Sequence, residues 1–257
     1  MISELSVIHP SAKIGKNVII EPFVTIGENV EIGDDCIVMS GARVVKNTRI
    51  GKNNKIYNSA VVGCDPQDLK YKGEETFLEI GDNNMIREFT TLSRGTGSRT
   101  TTKIGSNCLI MAYCHVAHDC ELGNNIIMSN AVQLAGEVEV DDFAIISGGA
   151  LVHQFTKIGK HVIIQGGAHV NKDIPPYIVA AREPIAYSGV NLVGLRRRGF
   201  SDSQIEEVRN IYRYIFQSEF IVSDAINYIE NDFAETDIKR EIVSFIKSSD
   251  RGILKGR

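Results

Sequence analysis

Ile8-His9-Pro10-Ser11-Ala12-Lys13-Ile14-Gly15-Lys16-Asn17-Val18-Ile19-Ile20-Glu21-Pro22-Phe23-Val24-Thr25-Ile26-Gly27-Glu28-Asn29-Val30-Glu31-Ile32 is the stretch that decides the fold. Large apolar residues stand at Ile8, Ile14, Ile20, Ile26 and Ile32, a strict spacing of six. The register continues through Val38, Val44, Ile50, Ile56 and Val62, and returns at Ile80, Ile86 and Leu92. It then runs through Ile104, Ile110, Val116, Leu122, Met128, Leu134, Val140, Ile146, Val152, Ile158, Ile164 and Val170. Four residues after these positions the side chain is usually small or β-branched: Ala12, Val18, Val24, Val30, Cys36 and Ala42, later Cys108, Cys114, Cys120, Val132, Ala144 and Ala150. A helix buries residues at a 3.6 spacing and a half-buried strand at a spacing of two, so neither accounts for six. A short strand followed by a tight turn does, with both columns inward. The turns are Ile14-Gly15-Lys16-Asn17, Ile26-Gly27-Glu28-Asn29, Ile32-Gly33-Asp34-Asp35 and Ile50-Gly51-Lys52-Asn53, where Gly and Asn are expected to supply a corner's positive φ.

Such hexads resemble the left-handed parallel β-helix of the hexapeptide-repeat acyltransferases, in which three hexads make one triangular coil. The handedness rests on that resemblance, because the usual crossover rule favours the opposite hand. Each coil buries its interior only against its neighbours, so stability is a sum of stacking terms along the axis. Two polar stretches leave the register, about Cys64 to Leu78 and Gly95 to Thr102, and insertions into a regular solenoid commonly carry function. The repeat is expected to end near Asp173-Ile174-Pro175-Pro176. Ser201-Asp202-Ser203-Gln204 reads as a capping box opening a helix, with Ile205, Val208, Tyr212 and Ile215 at helical spacing. Further amphipathic stretches at Ala225 to Ile229 and Ile238 to Ile246 complete the expected division: an all-β left-handed β-helix over residues 1–190 and a small α-helical C-terminal domain over 191–257.

The 257 residues, 43% hydrophobic, can bury a sizeable core. A net charge of −4 gives no general attraction to nucleic acid or anionic membrane, so any anion site must be local. The start, Met1-Ile2-Ser3-Glu4-Leu5, lacks a basic region and an apolar run, which predicts a cytoplasmic protein with no membrane span. Five cysteines with no C-x-x-C pair read as reduced thiols.

The chemistry is concentrated in His115-Val116-Ala117-His118-Asp119-Cys120. A His-x-x-His pair can be structural, can ligate metal or can hold a general base. Column arithmetic places His118 at an outward turn, and successive steps of eighteen reach Gly136 and Gln154, a stack rising about 4.8 Å per coil. A glycine beside a base leaves its N–H uncovered, as an oxyanion donor requires, although a plain turn glycine fits the spacing equally well. His153 adds a second polar group.

Four segments make the resemblance specific: Asp65-Pro66-Gln67-Asp68-Leu69-Lys70-Tyr71, His115 to Cys120, Val152-His153-Gln154-Phe155 and Gly194-Leu195-Arg196-Arg197-Arg198-Gly199-Phe200. They look like the signature blocks of the acyl-[acyl-carrier-protein]:UDP-N-acetylglucosamine O-acyltransferases, which open lipid A biosynthesis, and the match runs nearly the full chain. The resemblance implies transfer of a 3-hydroxyacyl chain from acyl carrier protein to the glucosamine 3-hydroxyl of UDP-N-acetylglucosamine. It implies a homotrimer, and no cofactor or metal beyond the acyl donor's own phosphopantetheine. His118 would be the general base, Gly136 the oxyanion donor and Asp119 the support of the base, although adjacent side chains on an extended segment diverge. Gln67, Asp68, Lys70, His115, His153 and Gln154 would bind substrate. So would Asn191, Arg197 and Arg198, arginine forks suiting a diphosphate. Gly166 would set acyl length. The chain departs from the pattern at Glu137, where histidine is common, and at Val193, where an acidic nucleotide contact is found.

Two other enzyme classes stay open at this point. One is another hexapeptide-repeat acyltransferase, such as the later N-acyltransferase, whose large N-terminal domain has no counterpart before Ile8. The other is a hexapeptide-repeat zinc carbonic anhydrase, which needs three histidines. A structural or ice-binding solenoid would show repeated Thr-x-Thr faces, which are missing here.

Overall fold

The computed structural model describes residues 1–256. The hexads form a solenoid of parallel strands, most only two residues long, wound as a left-handed β-helix. Each short strand presents one residue outward and one inward, as in Glu31–Ile32 and Glu139–Val140. Three flat sheets result. The first runs from Val7–Ile8 to His169–Val170, the second from Lys13–Ile14 to Lys157–Ile158, and the third from Ile19–Ile20 to Ile163–Ile164.

Both predicted columns point inward. Ile56, Ile86, Ile110, Met128 and Leu134 are sealed from solvent, as are Val24, Cys36, Ala42, Ala144 and Ala150 of the small column. Each buried large side chain contributes about 1.5–3 kcal/mol. The cysteines are all free. Burial pushes the thiols of Cys108 and Cys114 up to about 11 and that of Cys120 up to about 12, so these three serve as small apolar fillers.

The corners correct one expectation. Positive φ falls on Asn17, Asn29, Asp35 and Asn53, and not on Gly15, Gly27, Gly33 or Gly51. Those glycines are required by stacking instead. A Cβ on Gly33 would lie 2.6 Å from the Gly51 carbonyl oxygen, and one on Gly105 only 2.4 Å from that of Gly123.

The outer face of the second sheet carries a ladder of charge. Lys13 pairs in register with Glu31, Glu31 with Arg49, Arg49 with Glu79, Glu79 with Lys103, and Lys103 with Glu121. The alternation breaks once, where Glu121 stands beside Glu139, and resumes with Lys157. Such exposed pairs contribute little energy each, about 0–1 kcal/mol.

Both insertions leave from one edge, between the first and second sheets. Residues 65–76 join Val61–Cys64 to Phe77–Ile80, and in the next coil residues 94–100 join Thr91–Ser93 to Thr101–Ile104. The coil after that carries His118 on the same edge, between His115–Val116 and Glu121–Leu122.

Pro175-Pro176 does not end the sheet as expected. The chain rejoins the third sheet at Ile178–Ala181 and turns back antiparallel as Ala186–Val190. A short helix that the sequence did not announce follows, α1 (Leu192–Arg197), and then α2 (Asp202–Gln217), opened by the expected box of Ser201 and Gln204. The two later amphipathic stretches become α3 (Val222–Asp232) and α4 (Asp237–Lys247). The helices are fastened at the edge between the second and third sheets. There Phe143, His161 and Tyr177 stack with centroids 4.9 and 5.6 Å apart, and Phe200 packs edge-on against His161 at 5.1 Å. Burial, with the charges of Arg198 and Lys160, pushes His161 down to about 4, so it stacks as a neutral ring. Ile253 and Lys255 return to bridge Asp173 and Ala186. Among the described residues no helix is long and apolar enough to cross a membrane.

Candidate active site

His118 lies on a turn with its side chain 16% exposed and its ring flat against Gly136 of the next coil. A Cβ on Gly136 would sit 2.6 Å from Cε1 and 2.7 Å from Nε2 of that ring. Gly136 sits in the turn, but the turn does not require a glycine there: its φ is not positive, and the next residue, Glu137, takes that conformation. The ring needs the space that a side chain would fill.

Asp119 corrects a second expectation. Adjacent side chains diverge on an extended segment, but Asp119 has φ +60°, and this bend turns its carboxylate back toward its neighbour. His118 Nδ1 lies 2.8 Å from Asp119 Oδ2. Because a carboxylate only accepts, the imidazole proton sits on Nδ1 and leaves Nε2 as an acceptor. Nε2 faces Asp68 Oδ2 of the first insertion at 3.8 Å. Burial pushes the Asp119 carboxyl up, yet the hydrogen bonds from Thr96 and His118 outweigh it and hold the acid below the usual carboxylate range.

The remaining predicted groups of this edge are close by. His115 projects from the first sheet with Nδ1 2.7 Å from Thr91 Oγ1, and burial, with His118 as a neighbour, pushes its pKa below the usual imidazole range. Lys70 and Gln67 are exposed on the first insertion, where the Lys70 amide donates to Asp68 at 2.8 Å. One coil beyond Gly136, His153 and Gln154 are exposed, and His153 Nδ1 donates to the Gln154 carbonyl at 3.1 Å. Glu137 lies 4.0 Å from the guanidinium of Arg99, so the acidic departure in the groove has a cation beside it. An oriented base, a glycine whose amide makes no hydrogen bond to another described residue, and a loop carboxylate over the base form an arrangement suited to acyl transfer.

Comparison with known proteins agrees with that chemistry. Residues 173–254 match the family model described as UDP-N-acetylglucosamine O-acyltransferase, domain 2, and residues 101–136 match the bacterial transferase hexapeptide model. Residues 2–67 match the model for the GMPPB C-terminal domain. The acyl-[acyl-carrier-protein]–UDP-N-acetylglucosamine O-acyltransferase of Thermodesulfovibrio yellowstonii is 39% identical over 99% of this chain and 99% of its own. This chain belongs to the UDP-N-acetylglucosamine O-acyltransferase family. The Trichlorobacter lovleyi enzyme of that name is 44% identical, with 98% of each chain covered. Among solved structures, a UDP-N-acetylglucosamine acyltransferase from Bacteroides fragilis 9343 superposes with TM-score 0.97 at 52% identity, covering 99% of this chain and 100% of that one. The Arabidopsis UDP-N-acetylglucosamine acyltransferase gives 0.89 at 37%, again over 99% and 100%.

Two groups of residues carried over from this O-acyltransferase family lie on other edges. Gly166 is exposed on the edge between the third and first sheets, where a Cβ would meet the Gly148 carbonyl oxygen at 3.2 Å. Asn191 and Arg198 lie at the edge between the second and third sheets. Asn191 is buried; its Oδ1 accepts from Gly194 N at 3.0 Å and its Nδ2 donates to the His161 carbonyl at 2.8 Å. Arg198 sits over the Phe143 ring, 5.2 Å from its centroid, and donates to the Phe143 carbonyl at 3.2 Å. Both therefore hold the helices to the solenoid, while Arg197 is exposed and Arg196 pairs with Asp202.

Sequence reasoning missed the residues under the insertions. Arg94, wholly buried, donates to the Gly63 carbonyl and the Asp65 carboxylate and reaches the Tyr71 hydroxyl at 3.3 Å. Arg99 lies 2.6 Å from Glu139 and 3.8 Å from Glu121. Like charges side by side on neighbouring strands are unfavourable, so the Glu121 and Glu139 register was the readable sign that a cation arrives from elsewhere.

Proposed function

We propose that the chain transfers a 3-hydroxyacyl group from acyl carrier protein to the glucosamine 3-hydroxyl of UDP-N-acetylglucosamine, opening lipid A biosynthesis. The observation that carries the reading is the His118 and Asp119 pair lying against Gly136 under the Asp68 loop. His118 Nε2 takes the proton of the 3-hydroxyl as the oxygen attacks the thioester carbonyl. The Gly136 amide receives the developing oxyanion. Collapse breaks the C–S bond, and the phosphopantetheine sulfur leaves with the proton that His118 returns. Asp68, Lys70 and Gln67 hold the sugar and acyl donor from above, with His115, His153 and Gln154 lining the groove. Residues 1–190 act as the catalytic domain and 191–257 as the helical domain.

The candidate groups still open to a substrate occupy different edges of the prism: His118 and Gly136 on one, Gly166 on the second, and the exposed Arg197 beside the third. One substrate reaches all of them only where edges of neighbouring copies meet, which supports a homotrimer with its sites between subunits. Incubation with UDP-N-acetylglucosamine and a panel of 3-hydroxyacyl carrier proteins is expected to yield the 3-O-acyl product, by a species that sediments as three chains. Absence of transfer with every donor, or full activity in a monomer, overturns the reading.

Gly166 carries a separate prediction. It lies between two and three coils beyond His118, roughly 10–14 Å along the axis. An open glycine favours long donors, since each buried methylene contributes about 0.8 kcal/mol. The glycine is exposed, its φ is not positive and the nearest atom to an added Cβ, the Gly148 carbonyl oxygen at 3.2 Å, has to give only by a few tenths of an ångström, so Gly166→Met is expected to fold and to place its side chain on this edge. Long donors then lose at least tenfold in kcat/KM relative to short ones. An unchanged ratio between donor lengths places the ruler elsewhere.

A further inference from the structure

Asp119 is fully buried, yet its acid is held below the usual carboxylate range beside a histidine. What keeps it ionised and aimed is the second insertion, which the sequence marks as functional without naming a residue or a role. Thr96 donates its amide to Asp119 Oδ1 at 2.8 Å and its hydroxyl to Oδ2 at 2.6 Å. Oδ2 is the oxygen that also accepts the hydrogen bond from His118 Nδ1. The Arg99 amide reaches Oδ1 at 3.3 Å, and the Asp119 amide in turn donates to Thr102 Oγ1 at 2.8 Å.

The insertion is itself anchored on both sides. The Arg99 side chain fills the one gap in the charge ladder, pairing with Glu139 and lying within 4.0 Å of Glu121 and Glu137. On the other side the Gly97 amide donates to Glu74 of the first insertion at 3.1 Å, and Arg94 holds Asp65 and Tyr71 of that same insertion. The loop that offers Asp68 to Nε2 and the loop that grips Asp119 behind Nδ1 are thus one connected body.

We infer that Thr96 is a positioning residue of this site: its hydroxyl and amide fix the Asp119 carboxylate so that the His118 ring is held with Nε2 toward the substrate. Arg99 seats the loop that delivers Thr96. The inference rests on the acyl-transfer reading for its kinetic consequences, but its structural content concerns only how Asp119 and His118 are held. The charged and titratable groups around the pair are His115 on the preceding strand, Asp68 on the first insertion, and Arg99 on the second, which has Glu137 of the next coil within 4.0 Å.

Replacing Thr96 by valine removes one donor and sets a methyl against Oδ2, which then has to withdraw to van der Waals distance. In Thr96→Val, kcat is expected to fall 10- to 100-fold with both KM values within about twofold, while Thr96→Ser keeps near wild-type turnover. Carbon-13 titration of the Asp119 carboxyl moves to higher pH in Thr96→Val, because a donor to the charged form is lost. Nitrogen-15 spectra show His118 drifting from the Nδ1–H tautomer toward Nε2–H. Should valine prevent folding, Thr96→Ala removes the hydroxyl without the clash and gives the same readouts. A carboxyl titration and a tautomer both unchanged from wild type overturn the inference, and so does a loss of thermal stability alone. If the wild-type protein transfers no acyl group, the functional reading fails, and the two spectroscopic measurements still decide the role of Thr96.

Discussion

His118→Ala lowers kcat by about two to four orders of magnitude and leaves the solenoid intact. The ring packs against a glycine surface at an edge, and the interior columns do not include it, so its removal opens only a shallow space over Gly136. What disappears is a base whose orientation is set twice, by Asp119 at Nδ1 and by packing on Gly136. Asp68, 3.8 Å from Nε2, does not replace it, because its Oδ1 is committed to the Lys70 amide and the carboxylate is a far weaker base than a neutral imidazole. Both KM values are expected to stay close to wild type, since the ring acts on the reacting proton. Steady-state kinetics with circular dichroism as a folding control is the measurement. Turnover within a fewfold of wild type shows that the proton leaves by another route.

The second large effect is on stability. Gly105→Ala is expected to cost about 2–3 kcal/mol, lowering Tm by about 5–10 °C. The added methyl would stand 2.4 Å from the Gly123 carbonyl oxygen and 2.6 Å from its carbon. Both atoms belong to the backbone of the next coil, which is fixed by its own ladder of hydrogen bonds and cannot swing aside. The two coils must part locally, and the strain falls on Lys103–Glu121 and Ile104–Leu122, the register pairs just before the corner. Gly97→Ala is the control. Its Cβ meets only Glu74 Oε1 at 3.6 Å, and a change within about 0.5 kcal/mol is expected. Equal Tm values for the two variants show that the corner glycines are not required by stacking.

The interior of the fold was legible because the inward columns depend only on spacing, and spacing survives any choice of corner residue. Ile8 to Val62 and Ile104 to Val170 could be placed without knowing a single dihedral angle. The stack of His118 on Gly136 was legible for the same reason. The reasons behind two residue choices were not. Gly33 reads as a positive-φ corner and Gly136 as readily as a turn glycine as an oxyanion donor, but one is demanded by the coil above it and the other by an imidazole ring, and both demands come from outside the hexad. Asp119 looked turned away from His118 because an extended chain was assumed where the backbone bends to φ +60°. The grip of Thr96 on Asp119 spans 23 residues, and the Arg99 pair with Glu139 spans 40. No period connects those positions. The hairpin after Pro176 was hidden because two prolines occupy the corner itself, where no ladder hydrogen bond is needed, and the strand resumes beyond them at Ile178.

The ladder of charge on the second sheet bears on how the chain finds its register while folding. Seen from inside, neighbouring coils are nearly the same object, so an interior of isoleucine and valine alone would accept a strand paired one coil too far along at little cost. The outer face does not accept it. A strand that skips one coil would set Lys13 beside Arg49, Glu31 beside Glu79, Arg49 beside Lys103 and Glu79 beside Glu121, every one a like-charge pair. Individually weak contacts thus act together as a proofreading scale, penalising mis-stacked intermediates more than they stabilise the finished molecule. Raising the salt concentration should therefore slow correct refolding while leaving the native Tm almost where it was.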